Sequence, residues 1–171
     1  MNEGTYDFGM DKVVKQVIEL LSGRPQFENS EGSNTKIKNF FPDPEYRAST
    51  VITKSHLPLI EVKESTENFE EAGENVGIGQ ILLTYNLDIY VYSYDFKSAE
   101  ESKEFCRKVI TNLECIFTIF HNGLTPGDWL DTSLGTVEYL MVKLTENYWG
   151  VAAMLPVTIT RVVNVDAIRS C

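Results

Sequence analysis

The stretch QILLTYNLDIYVY, residues 80–92, alternates for longer than a helix or loop would. Ile81, Leu83, Tyr85, Leu87, Ile89 and Val91 share one parity, and Gln80, Thr84, Asn86 and Asp88 share the other. A period of two over such a length predicts a strand with one face in a core. Extended at about 3.3 Å per residue, the strand would reach ~40 Å and needs a long partner to cover it. The next segment, SAEESKEFCRKVITNLECIFTIF (98–120), supplies one. Phe105, Val109, Leu113, Ile116, Phe117 and Phe120 fall on a single helical stripe. Ser98 and Glu101 have the spacing of a capping box, and Asn122-Gly123 marks the stop. At 1.5 Å per residue this helix spans ~34 Å, so one element can lie along the other. The β-branched and aromatic content of CIFTIF leaves a strand there as the competing reading.

The remaining elements are shorter. Val13, Val14, Val17, Ile18 and Leu21 form the apolar stripe of an opening helix that Gly23 and Pro25 end. Residues 23–56 are rich in Gly, Pro, Asn and Ser and predict a long excursion with one short strand at most, a contact arm in the making. HLPLIEVKES predicts a short strand, with Ile60 and Val62 on one face and Leu59 and Glu61 on the other. Pro58 confines itself to that strand's start or to an edge. Glu61, Glu64, Glu67, Glu70, Glu71 and Glu74, with Gly73, Gly77 and Gly79, predict a solvated acidic loop or a hairpin tip that joins this short strand to the long one. LTPGDWLDTSLG predicts a turn-rich loop around Trp129. Residues 136–146 and 150–163 predict an antiparallel hairpin joined by NYWG, with Pro156 at an edge or bulge. The expectation is a single α+β domain over 1–171: a two-layer sandwich in the order α-β-β-α-β-β. A mostly antiparallel four-stranded sheet would carry both helices on one face, with 23–56 as an extended arm and 164–171 as a C-terminal tail.

Chemistry has little purchase on this chain. The two histidines, His56 and His121, stand outside any ligand or triad pattern; His121 suits the C-terminus of its helix. Cys106, Cys115 and Cys171 read as thiols rather than a disulfide or a metal site. There is no Gly-x-Ser-x-Gly elbow, no Cys-x-x-Cys and no His-Glu-x-x-His, and the GIG at 77–79 lacks the rest of a phosphate-binding loop. No catalytic, cofactor-binding or metal-ligating residue is therefore expected. Twenty-five acidic residues against fifteen basic ones, net −10, argue against a protein that grips nucleic acid through its phosphates. The same charge permits DNA to pass without sticking. No apolar run approaches the ~20 residues that span a bilayer, and the start shows no secretory pattern, so a cytoplasmic site of synthesis is expected.

What the strand at 80–92 leaves unexplained is its second face. Leu82, Tyr90 and Tyr92 occupy the parity opposite the helix, where a lone subunit would be wet. Together with Trp129 and Trp149 they form a candidate subunit interface, since aromatic residues are enriched in interface cores. The strand at 136–146 repeats the pattern, with Val137 and Tyr139 on one parity and Leu140, Val142 and Leu144 on the other.

MDKVVKQVIELL, LPLIEV, ILLTYNLDIYVY, SAEESKEFCRKVITNL and the closing MLPVTITRVV, in this order, resemble the tail terminator (tail completion) proteins of long-tailed bacteriophages and related head-to-tail joining proteins. The resemblance covers roughly two thirds of the chain and includes no catalytic motif. It implies a non-enzymatic virion subunit, made in the host cytoplasm, that assembles with itself into a ring, typically hexameric. The ring would cap the tail tube protein, stop tail growth and meet the head-side connector, with DNA only as passing cargo. Glu67, Glu70, Glu71 and Glu74 would face the lumen or a neighbour. The excursion at 23–56 is longer than a minimal member would need. A neck protein one ring nearer the head shares this logic, and a cytoplasmic ligand-binding α+β regulatory module is the alternative of a different class.

Overall fold

The computed structural model describes residues 10–28, 35–42, 52–71, 80–93, 99–121, 129–145 and 148–164. Two helices, α1 (Met10–Ser22) and α2 (Ala99–His121), pack on one face of a mixed six-stranded sheet. The strands are β1 (Asn39–Phe41), β2 (Leu59–Glu71), β3 (Gln80–Tyr92), β4 (Trp129–Leu134), β5 (Glu138–Thr145) and β6 (Tyr148–Asn164). The sheet order is β1-β2-β3-β6-β4, with β5 also on β6.

β3 is the strand its alternation predicts, and it lies in the middle of the sheet. Leu83, Tyr85, Leu87, Ile89 and Val91 are buried, while Leu82, Thr84, Asn86, Asp88 and Tyr90 are half-buried on the other face. CIFTIF is helical, and α2 buries Phe105, Val109, Ile110, Leu113, Ile116 and Phe117. Each such side chain removed from water stabilises the fold by about 1.5–3 kcal/mol. This stripe lies mainly over β6 and β4, while α1 lies over β2. β3 therefore runs beneath the seam between the helices and is not covered end to end by α2. Ser98, the expected cap, lies outside the described residues.

The sheet exceeds the expected four strands in two places. β1 pairs in parallel with the start of β2, Phe40 opposite Ile60, so the sheet is mixed. β4 forms within the segment expected to be a loop. Its register shifts between Trp129 and Asp131, and the extra residue breaks the alternation by which a strand is read. Trp129 and Thr132 consequently turn inward, three residues apart.

β2 is also longer than expected. Glu67, Glu70 and Glu71 belong to this strand, opposite Tyr85, Leu82 and Ile81 of β3, and not to a loop. Glutamate has little preference for strands; thirteen residues of β3 offer it a ladder, and a bulge between Glu64 and Thr66 absorbs the mismatch. Glu74 lies outside the described residues.

β5 and β6 form the expected antiparallel hairpin, but β6 runs on to pair with both β4 and β5 along one side and β3 along the other. Pro156 is thus interior and not at an edge. Its carbonyl accepts from the Gly135 N–H at 2.8 Å, so its missing donor faces the handover from β4 to β5, where no ladder is broken. Asn164 closes β6, and the tail beyond it lies outside the described residues.

The excursion at 23–56 is, where described, part of the body. Phe27 and Ile37 join the main core on the helix side. Phe41 and Ile52 fold round the edge of the sheet to the opposite face.

Candidate assembly surfaces

The outer face of the sheet divides into three zones. At the β1 end, Phe41, Leu57, Leu59, Tyr92 and Ala152 form a second small core, with Ile52 and Tyr90 packed against it. A 3-10 turn, Lys54–His56, holds the cover in place. Thr53 N–H donates to His56 Nδ1 at 3.1 Å, Asn39 Nδ2 donates to the His56 carbonyl at 2.8 Å, and the imidazole stands edge-on to Phe41. His56 is thereby a structural residue of this cover.

Two of the tyrosines predicted to meet a neighbour lie here. Tyr92 is only 6% exposed, and its hydroxyl donates to Glu61 Oε2 at 2.9 Å. Burial, then the negative charge of Glu61, push its phenol well above the ordinary range. Tyr90 stacks on Tyr92, carries the Lys63 ammonium 4.8 Å above its ring and stays half-buried. The chain's own excursion has taken Tyr92 out of reach of a partner.

The centre of the outer face is polar. Thr158 Oγ1 donates to Asn86 Oδ1 at 2.8 Å, and Asn86 Nδ2 donates to Thr66 Oγ1 at 2.6 Å, a cross-strand row over β6, β3 and β2. Leu82 lies beyond it, half-buried, opposite Val162 and Glu70 in register.

The third zone is the side of the sheet formed by β4 and β5. Leu130, Tyr139, Leu140 and Met141 are its exposed large apolar residues, and Met141 is 62% exposed. Tyr139 and Met141 share a parity and Leu140 takes the other, so both faces of this strand are open. Lys103 Nζ and Arg107 Cζ of α2 lie 5.5 and 6.0 Å from the Tyr139 ring centroid. Arg107 also reaches Glu104 at 3.3 Å and Glu100 at 3.8 Å.

The other predicted contact residues behave differently. Trp129 is 3% exposed, and its Nε1 donates to Gln16 Oε1 of α1 at 2.8 Å; it belongs to the core and presents nothing to a partner. Trp149 is placed by its backbone alone, in β6 opposite Lys143. Sequence reasoning left Leu130, Met141 and Leu140 out of the candidate set. The signal for the latter two was the apolar character of both parities over 136–146.

Cys106 is fully buried, its Sγ within 3.7 Å of the Val91 carbonyl and 3.6 Å of the Val151 carbonyl, and burial pushes its thiol up to about 11. A thiol so placed is a poor nucleophile. Among the described residues no three His, Cys, Asp or Glu side chains converge as a metal site would require. No described helix is long and apolar enough to cross a membrane. No protein-family model matches the chain, and neither does any curated protein.

Proposed function

We propose that this chain is a ring-forming structural subunit of a phage virion, a tail terminator that caps the tail tube and joins it to the head-side connector, with DNA passing through its lumen. The observation that carries the reading is the trio Tyr139, Leu140 and Met141 of β5, exposed on both faces of the strand at the side of an otherwise well-packed sheet. An exposed apolar edge strand is an aggregation hazard in a monomer and a ready contact in an assembling subunit. The order of elements that resembles the terminator and joining proteins supplies the kind of assembly. A net charge of −10 suits a channel wall that a duplex must not grip.

The test is the mass and shape of the purified chain over a wide concentration range, by sedimentation velocity and electron microscopy. A closed ring with a central opening is expected. A chain that stays monomeric, or stops at a two-fold dimer, and does not bind purified tail tubes refutes the reading.

A further inference from the structure

No further inference is drawn: the strongest candidate, the exposed apolar patch of Tyr139, Leu140 and Met141 on the β5 side of the sheet, is the surface on which the assembly reading already rests, and nothing in the structure shows what covers it.

Discussion

Tyr92 separates an interface residue from a core residue, and the two roles predict opposite outcomes. Its ring is 6% exposed in the small core beneath the 3-10 turn, so truncation to alanine should destabilise the isolated chain by about 3–5 kcal/mol, the range for large buried aromatics. Tyr92→Phe isolates the hydroxyl. A hydrogen bond to a charged acceptor contributes ~1.5–3 kcal/mol, but Glu61 keeps Lys63 at 3.6 Å and remains partly open to water. A cost of about 1 kcal/mol is the expected figure. Urea unfolding at a concentration where the chain sediments as a monomer measures both. The pH dependence has a definite sign. The folded phenol is raised above its unfolded value, so its contribution is complete below about pH 10 and is lost as pH climbs beyond it. The gap between wild type and Tyr92→Phe should therefore close in strong alkali. If Tyr92→Ala leaves monomer unfolding unchanged while dissolving the assembly, the excursion is not its cover and the reasoning fails.

Two further substitutions probe the body of the fold. Cys106→Ala removes a thiol raised from about 9 to about 11; wild type should lose roughly 2–3 kcal/mol across that window while the variant shows no such step, and a pH-independent difference in urea midpoints would refute the placement. Gly135→Ala would set a Cβ 2.9 Å from Pro156 Cβ and 3.0 Å from its Cγ, a cost of about 1–3 kcal/mol that should largely vanish in a Pro156→Gly background, as a double-mutant cycle by thermal unfolding would report.

The elements legible in the sequence are those whose signal is local and uninterrupted. β3 announces itself because nothing breaks its alternation, and α2 because its stripe holds its period from Phe105 to Phe117. β4 is hidden by one extra residue near Leu130, which turns WLDTSL into an apparent loop. The second half of β2 is hidden by its glutamates, since its pairing is decided by a long neighbour and not by its own preference. The misplacement of Trp129 has a different origin. An aromatic between Asp128 and Asp131 looks exposed, and only the tertiary fold brings Gln16 to its indole.

The same distinction applies to the outer face of the sheet. Tyr90 and Tyr92 do require a cover, as their parity indicates, but parity does not say whether the cover is another chain or a distant part of the same one. Here Phe41 and Ile52 arrive from the excursion, with Leu57 just beyond it, and settle the matter for Tyr92. The demand for a partner then moves to the far side of the sheet. β5 pairs with only part of β6, while α2 lies over β6 and β4, and Tyr139, Leu140 and Met141 stay exposed. The apolar excess of the long sheet is thus divided between an intramolecular cover at one side and an open strand at the other. The cover at one side is settled within the chain, and the strand at the other, apolar and uncovered among the described residues, is where a neighbour would have to bind.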